Sequence, residues 1–263
     1  MANLVPSRPG TVYLVGAGPG DPELLTLRAA RLIGSARLIV HDGLVDPAIL
    51  ALAPATAELI SVAKQRSRHS MKQDAINSLL VAEALGGRDV VRLKGGDPFI
   101  FGRGGEEQDA CREAGVPCEV VPGISAAIGG GASARLPLTH RDDASIVSFV
   151  AGQCKGLSGQ NWSGLAGAGR TLVIYMGLAT AQDIAEKLMA DGLSPHTPVA
   201  IIENATRPGQ RVLRTLLADL GDLVARAGVR SPGLIVVGEV ALRADAVDCL
   251  MRTQPDSLGA MQP

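Results

Sequence analysis

A chain of 263 residues, 46% apolar and 19% charged, is long enough for one large α/β unit or two compact halves with real cores. A net charge of −1 supplies no global basic field for nucleic acid, and 2% aromatics supply no platform for stacking bases. Cys111, Cys118, Cys154 and Cys249 form neither a CxxC pair nor a zinc spacing, and no apolar run is long enough for a membrane helix. With no signal-peptide order in MANLVPSRPG, the expectation is a cytoplasmic protein with reduced thiols, no metal and no membrane partner.

In chain order, residues 12–15 read as a strand, 22–33 as a helix, 38–41 and 58–62 as strands. Residues 72–85 carry the helical spacing Ile76, Leu79, Leu80 and stop at Gly86-Gly87. Residues 89–93 form a strand, 105–114 a helix and 119–121 a strand ended by Pro122-Gly123. This alternation predicts a mainly parallel sheet covered by helices on both faces. After the polar LPLTHRDD at 136–143, strands at 145–150, 171–175, 199–203, 211–214 and 234–237 and helices at 181–190 and 216–227 follow. The short connection between 203 and 211 predicts a hairpin, so the second half is expected to hold a mixed sheet. The expected division is an α/β domain over 10–138, a second over 144–245, and a fraying tail at 250–263.

Glycine-rich loops follow several of these strands. VGAGPGDPELLT places Gly16, Gly18 and Pro19 after the first strand, but Asp21 stands where a dinucleotide fingerprint needs its third glycine. Asp21 and Glu23 suit a helix start, with Asp21 as cap and Pro22 in the first position, and would repel a pyrophosphate. A ligand resting on these glycines is therefore expected not to be anionic at this end. VVRLKGGDPFIFGRGGEE opens a buried strand into Gly95, Gly96 and Asp97, where backbone approaches closely and a carboxylate can meet a hydroxyl or amino group. In VVPGISAAIGGGAS, Ser125 is placed to cap a helix of small residues that begins at Ala126. TLVIYMG ends a strand at Met176, by itself an ordinary core residue.

VGAGPGDPELLTL, VVRLKGGDPFIFGRGGEE, PGISAA, LPLTHRD, TLVIYMG, PVAIIEN and SPGLIVVGEV together resemble the tetrapyrrole methylase family, in order, from about residue 10 to 240. The resemblance implies two α/β domains with S-adenosylmethionine folded in the cleft between them, and a homodimer. It implies methylation of uroporphyrinogen III to precorrin-2, on the siroheme and cobalamin-type routes, with S-adenosylhomocysteine as the spent cofactor. Another precorrin methyltransferase is the alternative; an NAD-dependent oxidoreductase or an adenine-ligand sensor stand further off. No segment reads as a separate oxidase or chelatase. Carried over by motif, the cofactor contacts are Pro19, Gly95, Gly96, Asp97, Ile100, Ser125, Ala126, Met176 and Ala205.

The implied chemistry is attack of an electron-rich pyrrole carbon on a sulfonium methyl, so the protein must align the reactants, exclude water and take up a proton. By the same resemblance Asp42 is the candidate proton acceptor and Lys64 the donor. Arg103 and Arg141 are the expected clamps for the substrate's carboxylates, since guanidinium binds them bidentately, and Glu106 either orients Arg103 or serves as a base. Lys64, Arg66, Arg68 and His69 add a local basic cluster. Gly43, Gln153 and Ala205 depart from the residues that relatives carry, which are often Arg, His and Gly at these positions.

Overall fold

The computed structural model describes residues 8–63, 71–153 and 161–248. The chain divides into two compact units, residues 1–129 and 130–263.

The first unit is a three-layer α/β/α sandwich. Strands β1 (Val12–Gly16), β2 (Leu38–His41), β3 (Glu58–Ser61), β4 (Val90–Lys94) and β5 (Cys118–Val121) form a wholly parallel sheet in the order β3-β2-β4-β1-β5. The period of two along each strand sorts side chains between the two layers. Val12, Leu14, Leu38, Val40 and Val90 pack against Ile76 and Leu80 of α3 (Gln73–Leu85) and Cys111 of α4 (Gly104–Glu113). Val15, Ile39, Val91 and Leu93 face the other way, onto Ala29 and Ile33 of α1 (Leu27–Ser35) and Ile49 of α2 (Pro47–Leu50). A strand buried on both faces reads as a continuous apolar run, and β4 does so except at Arg92 and Lys94.

The expected helix over 22–33 is broken in two. Asp21 caps a single 3₁₀ turn, Pro22–Leu24, through a 2.9 Å bond from the Glu23 N–H. Leu25 is then extended, and the Thr26 hydroxyl accepts from the Ala29 N–H at 3.1 Å to start α1 afresh. Two capping residues five positions apart thus start two elements. The expected helix at 216–227 likewise splits into a 3₁₀ turn, Leu217–Asp219, and α7 (Leu220–Arg226). Helix α2 was not expected, although Asp46-Pro47 is a cap followed by proline at the first position.

The second unit holds a mixed sheet of β6 (Ala144–Ala151), β7 (Gly169–Tyr175), β8 (Pro198–Glu203), β9 (Arg211–Leu216), β10 (Gly233–Val237) and β11 (Val247–Asp248), in the order β11-β9-β8-β10-β7-β6. β8 and β9 pair antiparallel as a hairpin, in register from Pro198 opposite Leu216 to Glu203 opposite Arg211. One face of the sheet packs Leu172, Ile174, Val199, Ile201 and Ile235 onto Ile184 and Leu188 of α6 (Ala181–Ala190) and Leu220 and Leu223 of α7. No helix among the described residues is long and apolar enough to cross a membrane.

Candidate functional site

In a doubly wound sheet the ligand crevice lies beyond the carboxyl ends of the strands where the connections reverse direction. β1 leads through α1 to β2 on one side, and β4 leads through α4 to β5 on the other, so the reversal falls between β1 and β4. The two glycine loops leave the sheet there. Gly18 and Gly96 exchange backbone bonds of 3.1 and 2.7 Å, and both have positive φ (70° and 69°) that a side chain would strain. A Cβ on Gly123, after β5, would stand 2.2 Å from the Gly96 carbonyl oxygen, and one on Gly16 would stand 2.5 Å from the Gly123 nitrogen. Asp97 ties the loops together: one carboxylate oxygen accepts from Gly123 N–H at 3.0 Å and the other from Phe99 N–H at 2.8 Å. The result is a bed of backbone atoms whose nearby acid–base residues in the sequence, Asp97, Asp21 and Glu23, are carboxylic acids. Such a donor set suits a cationic ligand with hydroxyl or amino groups and disfavours a pyrophosphate.

Beside this bed lies a buried array of charges. Arg92 and Lys94 lie on the face of β4 that meets α3 and α4, and are 1% and 2% exposed; Glu107, on the first turn of α4, is 0% exposed. One Glu107 oxygen, Oε1, accepts from Arg92 Nε at 2.9 Å, Lys94 Nζ at 3.1 Å and Gln73 Nε2 at 3.3 Å. Its Oε2 has no hydrogen-bond partner among the described residues. The same two cations reach Asp42 at the end of β2: Arg92 Nη2 lies 2.5 Å from Oδ1 and Lys94 Nζ 3.8 Å from Oδ2. Asp42 is the member of the array that meets solvent, with its side chain 29% exposed. Burial first, and the Arg92 guanidinium second, push the Lys94 ammonium below the usual lysine range, against the pull of both carboxylates. The loop after Asp42 returns to the glycine bed, where a Cβ on Gly95 would meet the Leu44 Cβ at 2.9 Å.

The other expected residues fall as follows. Pro19 is buried, and a Cβ on Gly129 would meet its ring at 2.6 Å. Ile100 is exposed beyond the Asp97 turn. Ser125 is buried, and its carbonyl accepts from Ile128 and Gly129 as α5 (Ala126–Ser133) begins with Ala126. Arg103 sits at the start of α4 with left-handed backbone (φ 58°) and grips Glu106 through two bonds of 2.7 and 2.6 Å. That bidentate bond holds the Glu106 carboxyl below the usual range, so it stays ionised and orients Arg103.

In the second unit, Met176 follows β7 with φ 54° and is 47% exposed. Ala205 follows β8, between Asn204 and Thr206 at φ 50° and 63°, and is 9% exposed. β7 and β8 both run antiparallel to β10 between them, so Met176 and Ala205 flank the start of β10 at one edge of the sheet. A Cβ on Gly130 would lie 3.1 Å from the Ala205 Cβ, which shows how tightly α5 meets that loop. Arg141 is exposed in the turn closed by the His140–Ala144 bridge, and Gln153 is exposed after β6. Lys64, Arg66, Arg68 and His69 lie outside the described residues.

Sequence reasoning missed Arg92, Lys94, Glu107 and Gln73. The signal was present: in VVRLK the charged side chains alternate with Val91 and Leu93 in a strand expected to be buried on both faces.

The sequence profile of the Tetrapyrrole (Corrin/Porphyrin) Methylases matches residues 11–221. A siroheme synthase of Pseudomonas aeruginosa (strain UCBPP-PA14) is 52% identical over 237 residues, which are 90% of this chain and 51% of that protein. The chain therefore spans about half the length of the curated relatives it matches. Among solved structures, uroporphyrin-III C-methyl transferase from Thermus thermophilus complexed with S-adenyl homocysteine is 42% identical, with TM-score 0.77, covering 89% of this chain and 99% of that one. A cobalt precorrin-4 methyltransferase is 25% identical, with TM-score 0.77, covering 88% and 95%. With a profile match over most of its length and such a relative covered almost end to end, this chain belongs to the tetrapyrrole (corrin/porphyrin) methylases.

Proposed function

We propose that this chain methylates uroporphyrinogen III to precorrin-2, with S-adenosylmethionine as donor. The observation that carries the reading is the backbone bed between β1 and β4 with the Asp42 array beside it, in a chain 42% identical to the Thermus enzyme crystallised with S-adenyl homocysteine. The bed fits the donor because three loops meet through glycines that leave no room for side chains, with carboxyl side chains and no cation in the loop sequence from Gly16 to Glu23. S-adenosylmethionine, when bound, supplies the electrophilic methyl group.

Residues of the chain do the rest. The proposed cofactor contacts in the first unit are Pro19, Gly95, Gly96, Asp97, Ile100, Ser125 and Ala126, and in the second unit Met176 and Ala205. As the new carbon–carbon bond forms, a proton must leave the tetrapyrrole while its electron pair stays in the ring system. Asp42 accepts it, forming an O–H bond, and is suited to that role as a carboxylate open to solvent on one side. Arg103, already oriented by Glu106, turns to a substrate carboxylate, and Arg141 serves as a second clamp. Lys64 is retained as the proposed proton donor. A cytoplasmic homodimer feeding siroheme or cobalamin-type synthesis completes the proposal; light scattering reads the assembly.

The test is incubation with reduced uroporphyrinogen III and methyl-labelled S-adenosylmethionine, read by mass spectrometry. Label in a product heavier by one or two methyl groups is expected. S-adenosylhomocysteine binding without any product from uroporphyrinogen III would move the activity to a later precorrin.

A further inference from the structure

We propose that Lys94 is a positioning residue for Asp42, held in place by Glu107. The inference rests on the reading of Asp42 as the proton acceptor. It starts from an economy of charge. A central strand of a parallel sheet is an expensive place for two cations, which need compensation by hydrogen-bonded carboxylates. Glu107 supplies one, with Oε1 shared by Arg92, Lys94 and Gln73. The second is Asp42, the one partly open to solvent, with one cation at each carboxylate oxygen.

The arrangement fixes Asp42: its carboxylate meets Arg92 at Oδ1 and Lys94 at Oδ2, leaving the solvent side for substrate. Among the described residues, the charged and polar groups facing Asp42 are Arg92 and Lys94 from β4 and, behind them, Glu107 from α4 with Gln73 from α3. On its own strand, His41 Nδ1 lies 3.1 Å from the Asp42 carbonyl oxygen, on the backbone and not on the carboxylate. The Lys94 carbonyl accepts from the Ala17 N–H of the first glycine loop at 2.7 Å, but its side chain is 2% exposed and turns to the two carboxylates, with Cε 3.2 Å from where a Cβ on Gly102 would stand. It therefore acts on the reaction through Asp42.

The experiment titrates the Asp42 carboxyl carbon by ¹³C NMR, assigned with Asp42→Asn, and measures the pH profile of kcat/KM. The proteins are the full chain and its Lys94→Met, Lys94→Gln, Lys94→Arg and Glu107→Gln variants. Removing the Lys94 charge is expected to raise the Asp42 pKa, and with it the acid limb of the profile, by roughly one pH unit. Lys94→Arg keeps the charge and the wild-type limb; Glu107→Gln, which strips a negative charge from the far side of the same cations, moves the titration downward. S-adenosylhomocysteine affinity is unchanged throughout, as a merely structural lesion would not leave it. An unmoved Asp42 titration in a folded Lys94→Met or Lys94→Gln protein overturns the proposal. Should the wild type fail to methylate uroporphyrinogen III, the proposed function falls, while the carboxyl titration still decides the role of Lys94.

Discussion

At the scale of single residues, the site is governed by what a methyl group or a charge would do to its neighbours. Gly123 is the sharpest case. Alanine there would put Cβ into the Gly96 carbonyl, with the Gly16 Cα at 2.8 Å, and backbone on both sides cannot retreat without opening the three-loop junction. We expect Gly123→Ala to cost about 1–3 kcal/mol in urea unfolding, the range for an overpacked site, and to abolish S-adenosylhomocysteine binding by calorimetry. Arg103 tests the opposite face of the chemistry. Its fork is bound to Glu106 and half exposed, so it contributes little to the fold but offers bidentate recognition. Arg103→Ala should raise KM for uroporphyrinogen III roughly ten- to a hundredfold, the worth of a hydrogen bond to a charged group, with cofactor affinity unchanged. An unaltered KM removes Arg103 from the substrate contacts.

At the scale of elements, capping residues decided boundaries that hydrophobic periodicity could not. The apolar spacing of Leu24, Leu25, Leu32 and Ile33 is compatible with one long helix, yet Thr26 restarts the chain. Thr26→Ala should therefore destabilise the first unit by about 1 kcal/mol, the usual cost of losing a cap, measurable by denaturant titration. The same logic explains why α2 was invisible to periodicity: four residues are too few to show a stripe, and its evidence is Asp46 accepting from Ala48 N–H at 3.0 Å with Pro47 behind it. β4 carries the complementary lesson. Its strand character was legible from Val90, Val91 and Leu93, but the burial of Arg92 and Lys94 depends on Glu107, thirteen to fifteen residues on, arriving from α4. No local pattern announces that pairing.

At the scale of the whole molecule, ligand linkage separates the readings. Whatever binds the folded chain and not the unfolded one stabilises it, by about 2.7 kcal/mol at a hundred times Kd. S-adenosylhomocysteine should raise the melting temperature with a logarithmic dependence on concentration, and NAD should leave it unmoved, because the turn after the first glycine loop begins with Asp21 and Glu23, which would repel a pyrophosphate. Stabilisation by NAD alone would return the first glycine loop to the dinucleotide reading. The two described thiols are a poor handle on the fold: Cys118 is pushed up by its bond to the Cys111 thiol and by burial, and Cys111 is buried.

What the sequence by itself determined was the alternation of strands and helices, the parallel first sheet, the mixed second one with its β8–β9 hairpin, and the family, because periodicity and glycine-bearing turns are local and leave a mark in order along the chain. It also named Asp42, Asp97 and Arg103. Tertiary structure alone decided what surrounds them: that Asp97 spends its oxygens on Gly123 and Phe99, that Arg103 faces Glu106, and that Asp42 rests on two buried cations. Those facts hang on side chains 26, 3, 50 and 52 positions apart, as in the Gly123–Asp97, Arg103–Glu106, Arg92–Asp42 and Lys94–Asp42 contacts. Most of these separations exceed any local repeat, and whether a charge lies in water or in a low-dielectric interior is settled only when distant segments close over it.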